Sequence, residues 1–337
     1  MTRDQSGLIR SPVPCALRRF DDRHVDLVEA VLAPAYTDRP WICSLDSFQA
    51  AMALTLLGWP LPKSVRRRYL ERLFRKDNFK GIVFWSQAAL DSLRSYGGVV
   101  DEDILNKAVV VYPAVREVPD ELTAKPASAG LRLLFSGDFF RKGGAHVVDA
   151  FEAIQHEFPQ ATLRICCDEQ RDFNTPNTGL RDGYLRKIVS NKRIVFGRVP
   201  RQTMLNEVLP NTDIYLLPSY DEAFGFAILE AMSYGIPVVA TNVFAIPEIV
   251  HNDGTGILID TRHLDLLSVC RGYVVQGIPV RLREEIAALL VRAITRLAAS
   301  PELRQSMGAA AKERARTHFS FKRRNVEMRT VYERALA

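Results

Sequence analysis

Between residues 131 and 260 the chain repeats one pattern: a short, continuous apolar run, then a helical pattern, then another apolar run. The runs are Leu131–Ser136, Thr162–Cys166, Arg193–Phe196, Asp213–Leu217, Pro237–Thr241 and Gly256–Ile259. Apolar residues fill them without alternation, which suits strands buried on both faces of a parallel sheet. Helical spacing lies between them. Val147, Val148, Phe151 and Ile154 follow Gly143-Gly144, and a second helix from about Gly225 to Tyr234 stops at Gly235-Ile236-Pro237. Strand–helix repetition of this kind implies an α/β fold with a doubly wound sheet. Such sheets bind ligands beyond the carboxyl ends of their strands, so the chemistry is expected in the loops that follow strands.

The chain has 337 residues, enough for two α/β domains with a core each. Val118–Gly130 is rich in proline and small residues and reads as a linker. Before it, Pro40–Cys43, Gly81–Trp85 and Ala108–Tyr112 look like strands of a smaller α/β unit. After Asp260 the chain looks mostly helical, with Leu282–Leu297, Ala309–Phe319 and Val326–Leu336 as helices. The expected division is a shortened N-terminal domain over 1–129, a second domain over 130–320 and a closing helix over 321–337.

No apolar run approaches the roughly 20 residues that span a bilayer. The start, Met-Thr-Arg-Asp-Gln, lacks the apolar core of a signal peptide. Both point to the cytoplasm. The five cysteines (Cys15, Cys43, Cys166, Cys167, Cys270) show no Cys-x-x-Cys spacing and read as reduced and structural, without a zinc site. The net charge is +6, and eight basic residues against two acidic ones between Lys63 and Lys80 account for all of it. Val65, Tyr69, Leu70, Leu73 and Phe74 mark an apolar stripe there. The segment reads either as a solvated basic helix or as one that seeks an anionic membrane surface. No nucleic-acid motif accompanies the charge, so nucleic acid is not an expected partner.

Four loops that follow strands carry candidate chemistry. The densest is Pro218-Ser-Tyr-Asp-Glu-Ala-Phe-Gly-Phe226, which leads into a helix containing Glu230. Amides of Phe224, Gly225 and Phe226 at that helix start suit phosphate or hydroxyl oxygens. Gly225 permits close approach of a ligand. Glu222 and Glu230 lie eight residues apart, and carboxylates accept paired hydrogen bonds from vicinal diols. A solvated helix face is the ordinary reading of two glutamates. Glu230, though, lies among Leu229, Ala231 and Met232, where an unpaired carboxylate is costly. The second loop, Ser136-Gly137-Asp138 through Arg141-Lys142-Gly143, sets two cations beside a helix start, which suits a diphosphate. The third is Gly197-Arg198-Val199, and the fourth is Ala245-Ile-Pro-Glu-Ile249.

In this order the loops resemble the C-terminal domain of glycosyltransferase family 4 (group 1), of the GT-B fold. The Glu-x7-Glu motif matches Glu222 and Glu230. The Pro-Ser-x-x-Glu-x-Phe-Gly run matches Pro218, Ser219, Glu222, Phe224 and Gly225. Lys-Gly matches Lys142-Gly143, and Pro-Glu-Ile matches Pro247-Glu248-Ile249. The resemblance implies two Rossmann-like doubly wound domains, the N-terminal one reduced and on the acceptor side. It implies a retaining, metal-independent hexosyl transfer from a nucleotide sugar, with no cofactor, to a glycan or lipid-linked acceptor. Glu222 and the amides near Gly225 and Phe226 would hold the donor sugar, and Glu230 the ribose. Lys142, with Arg141, would face the diphosphate, and Val199 would lie by the base. Gly137, Ser219 and Phe224 complete the expected donor site.

The chain also departs from the pattern. Asp138 stands where the family usually has arginine. Phe244-Ala245 stands where paired glycines are usual. The N-terminal glycine-rich loop and histidine have no counterpart, and Ser44 or Asp46 occupies the comparable place. These departures motivate a rival reading, a non-catalytic subunit of the same fold that binds a nucleotide sugar or a partner enzyme. A nucleotide-sugar epimerase is a second rival.

Overall fold

The computed structural model describes residues 22, 24–52, 55–56, 59–123, 130–271 and 274–337. Cys15 and residues 124–129 of the expected linker lie outside them. The chain forms two compact units. One runs to Ala114 and takes in Phe321–Ala337; the other is Val115–Ser320.

The first unit holds a four-stranded parallel sheet: β1 (Val28–Val31), β2 (Trp41–Leu45), β3 (Phe79–Phe84) and β4 (Ala108–Val110), in that spatial order. Sequential parallel strands joined by crossovers of one hand place their connecting helices on one face. Helices α1 (Lys63–Phe74) and α2 (Gln87–Ser95) belong to those crossovers. Here Trp41, Phe74 and Phe79 pack together, with ring centroids 4.4–6.0 Å apart. The other face needs its own cover. The C-terminal helix Phe321–Leu336 supplies it, packing Met328 and Ala335 against Ile42, Val83 and Val111. That apolar demand explains why the last helix joins the first unit instead of standing apart.

The second unit holds six parallel strands: β5 (Arg132–Ser136), β6 (Thr162–Cys166), β7 (Ile194–Phe196), β8 (Ile214–Leu217), β9 (Val238–Thr241) and β10 (Gly256–Ile259). Their spatial order is β10-β9-β8-β5-β6-β7. The chain starts in the middle at β5, winds out to β7, and returns to β8 on the other side. The reversal leaves a switch point between β5 and β8. Helix α3 (Gly144–Ile154) follows β5 with Val147, Val148, Phe151 and Ile154 buried, as their spacing predicts. Helix α4 (Thr178–Ser190) precedes β7, and α5 (Phe226–Ser233) follows β8. Two long helices, α6 (Val280–Ala299) and α7 (Pro301–His318), then close the unit; the final helix is α8 (Phe321–Leu336).

Three features differ from the sequence expectations. β1 was not anticipated, because Glu29 interrupts its apolar run. The structure satisfies that carboxylate with Ser44 Oγ at 2.5 Å and Tyr332 Oη at 2.6 Å. A short antiparallel pair, Cys270–Arg271 with Val274–Val275, interrupts the region read as mostly helical. In α1, Leu70, Leu73 and Phe74 are buried but Val65 is exposed.

Candidate functional site

The loops after β5 and β8 flank the switch point, where a doubly wound sheet leaves a crevice for ligands. They are clamped to each other. Gly143 takes φ +81° at the start of α3, and a Cβ there would lie 2.1 Å from the carbonyl oxygen of Pro218. The Tyr220 amide donates to the Arg141 carbonyl at 3.1 Å. Beneath them His146 Nε2 and Tyr220 Oη form a fully buried hydrogen bond of 2.5 Å. Burial pulls the His146 pKa down to about 4, with nearby Asp149 opposing, so the ring is neutral near pH 7.

The clamp fixes two side chains that the sequence singled out. Lys142 Nζ donates to Glu222 Oε2 at 2.6 Å and to the Asp221 carbonyl at 2.9 Å. Only 12% and 14% of the Lys142 and Glu222 side chains are exposed, so this is no loose surface pair. Arg141 lies 3.6 Å from the Asp221 carboxylate. Its amide donates to Asp138 Oδ1 at 2.9 Å. Burial pushes the Asp138 carboxyl up to about 6, against the pull of the Arg141 contact. Gly137, with φ +112°, follows β5, and its carbonyl accepts from Cys167 Sγ at 2.9 Å.

On the β8 side, Ser219 is buried with its hydroxyl unpartnered, while its carbonyl accepts from Thr241 Oγ1 at 2.7 Å. Phe224 is buried beside the exposed Phe226, ring centroids 5.1 Å apart. Gly225, at φ +109°, starts α5 with no side-chain cap. Glu230, one turn into α5, does not join the Lys142 group. Both its oxygens face Arg201, with Nη1 to Oε2 at 2.6 Å and Nη2 to Oε1. Arg201 lies two residues beyond Val199 and opens the helical segment that follows the β7 loop, where Gly197 has φ +138°. Phe244 adopts φ +45°, a conformation glycine favours.

The structure thus gathers Lys142, Glu222 and Arg141 at one corner and links Glu230 to the β7 loop. Ser44 is drawn to Glu29. Sequence reasoning missed Arg201, His146, Tyr220 and Asp221. Tyr220 and Asp221 lay inside the recognised motif without a role. His146 sat four residues past Lys142, looking like any core residue of α3. Nothing local marked Arg201, whose partner is 29 positions away. Among the described residues no group of three or more His, Cys, Asp or Glu could hold a metal ion. Cys43, Cys166 and Cys167 are buried and Cys270 is half-buried, all as free thiols.

Residues 125–268 match the family of glycosyl transferases group 1. This segment is a group 1 glycosyl transferase domain. A D-inositol 3-phosphate glycosyltransferase of Paenarthrobacter aurescens (strain TC1) is 30% identical over 235 residues, which is 66% of this chain and 55% of that protein. The chain spans about half the length of the first curated relatives it matches over most of its own. A glycosyltransferase from Rickettsia africae ESF-5 superposes with a TM-score of 0.66 at 18% identity, over 94% of this chain and 78% of that one. Anabaena HepE, solved with UDP and glucose, gives 0.62 at 17%, over 91% and 77%. The group 1 domain therefore sits in a chain with the GT-B fold of solved glycosyltransferases. Among the described residues no helix is long and apolar enough to cross a membrane.

Proposed function

We propose that the chain is a retaining, metal-independent glycosyltransferase that moves a hexosyl group from a nucleoside diphosphate sugar to a glycan or lipid-linked acceptor. One observation carries the reading: the half-buried Lys142–Glu222 contact at the switch point of a group 1 glycosyl transferase domain. A cation and a carboxylate held there by the backbone match the two ends of a sugar diphosphate. Lys142, with Arg141, balances the diphosphate as the anomeric C–O bond breaks and the electron pair leaves with it. Glu222 and the backbone at Gly225 and Phe226 hold the sugar hydroxyls. Glu230 takes the ribose diol, Val199 lies by the base, and Gly137, Ser219 and Phe224 shape the walls. The acceptor hydroxyl attacks on the face the diphosphate leaves, and its proton passes to a diphosphate oxygen. Positioning and charge stabilisation supply the rate. HepE's capture of UDP and glucose on the same fold supports the donor class.

The second unit is assigned the donor and the first the acceptor. Helix α1 gives the first unit a basic face. Lys63, Arg68, Arg72 and Lys76 are exposed, while Arg66 and Arg67 turn back to the carbonyls of Met52 and Gly98. That face suits an anionic membrane and peripheral attachment on the cytoplasmic side. Binding to anionic vesicles at low salt that survives R68A/R72A would remove this part of the reading.

Asp138, a carboxyl where the family has arginine, favours a second reading: a subunit that binds a nucleotide sugar without turning it over. Incubation with UDP-, GDP- and ADP-hexoses separates the two. Transfer or slow donor hydrolysis, reduced about 100-fold or more in E222Q, supports the enzyme. Binding without turnover supports the subunit.

A further inference from the structure

We propose that Arg201 is a plug in the nucleotide site, which a ribose must displace before Glu230 can bind it. The inference rests on the assignment of Glu230 to the ribose. Arg201 grips Glu230 as a fork, one nitrogen on each carboxylate oxygen. A vicinal diol recognised by a carboxylate asks for the same arrangement, one hydroxyl on each oxygen, using the lone pairs that face forward between them. Fork and diol are therefore mutually exclusive. The lone pairs left on the outer sides of the carboxylate diverge and cannot chelate a diol.

The two partners are unequally free to move. Glu230 sits inside α5 with its side chain 24% exposed, whereas the Arg201 side chain is 64% exposed at the first residue of a short helical segment that runs on as a π-helix through Val208. Arg201 is the group that leaves. Its release is cheap because an exposed ion pair is weakly held. It also keeps Glu230 from standing as an uncompensated charge among Leu229, Ala231 and Met232 when no nucleotide is bound. A ligand that must displace the arginine binds more weakly by the share of molecules in which the site is plugged.

Calorimetric titration of UDP, GDP and ADP, and of uridine, guanosine and adenosine, into wild type, R201A, R201K, E230A and R201A/E230A tests this. The nucleosides carry no phosphate, so they read the Glu230 contact without the lost positive charge. The proposal expects R201A to bind the preferred nucleoside about two- to five-fold tighter than wild type. R201K, which cannot fork, falls between them. E230A weakens binding about ten-fold, and R201A adds nothing in the E230A background. Unchanged or weaker binding by R201A and R201K, with E230A still damaging, overturns the plug and leaves the donor site standing. Full binding by E230A, or no binding by any form, overturns the ribose assignment and the plug together.

Discussion

The two larger sheets of this chain are both parallel, yet only one of them reverses its winding. The four-stranded sheet runs β1 to β4 in order, and among the described residues it has no switch point. The six-stranded sheet turns back between β5 and β8. The contrast extends to the backbone. Gly137, Gly143, Gly197 and Gly225, all in the left-handed region, stand in the loops after β5, β7 and β8. Among the described residues, strand ends in the first unit show Leu32 alone at positive φ, and Ser44 there serves a half-buried carboxylate. The site motifs fall where chain reversal opens a crevice and where glycines let two loops approach each other. A parallel sheet alone does not make a site.

The sharpest way to break this comparison is Gly143→Ala. The added Cβ meets Pro218 backbone, which cannot yield, so the clamp between the two loops fails. Chemical denaturation should show a loss of about 3 kcal/mol or more, with loss of donor binding. Gly183→Ala in α4, with nothing within 4 Å of the new Cβ, should instead gain about 0.5–1 kcal/mol. Similar outcomes for the two would deny the clamp.

Asp138→Asn sharpens the comparison through pH. The folded carboxyl keeps its proton up to about 6, whereas the unfolded one loses it near 3.8. Between those values the folded state binds more protons, so stability falls as pH rises and stays lower above about 6. The amide keeps the acceptor for the Arg141 N–H and removes the titration. Unfolding free energies measured from pH 4 to 7 should show a flatter profile and a gain of about 1–2 kcal/mol at pH 7, with screening allowed for. An unchanged profile would show that Asp138 is not desolvated.

The effect of Ser44→Ala should fall on the first unit alone. Removing its hydrogen bond leaves Glu29 with Tyr332 as its remaining side-chain partner among those described above, at a cost of about 1–2 kcal/mol. Nucleotide affinity should not change. A change in affinity would erase the division of labour between the sheets.

How legible each part was follows from the same contrast. Strands buried on both faces announce themselves: Thr162–Cys166 and Gly256–Ile259 have the bounds expected, and the other four of the large sheet start one residue later. β1 was hidden because its register with β2 depends on Glu29 being satisfied by Ser44 and by Tyr332, 303 residues away. The fate of α8 was hidden likewise, since its pattern shows an apolar face but not which surface it covers. At the candidate site, local motifs pointed to Lys142 and Glu222, which the structure brings together. Partners supplied from elsewhere were not readable. Arg201 becomes visible only when β7 and α5 are set side by side, and the His146–Tyr220 bond only when the loops after β5 and β8 meet.

The central claim is that the second unit holds a nucleotide-sugar site built on Glu222 and Glu230. Thermal unfolding of the purified protein with UDP-, GDP- and ADP-sugars, with E230A alongside, tests it most directly. A ligand near 100 times its dissociation constant should add about 2.7 kcal/mol to the stability of the fold. The account predicts such a shift with one nucleotide class and its loss in E230A. No shift with any of the three, or a shift that E230A retains in full, would contradict it.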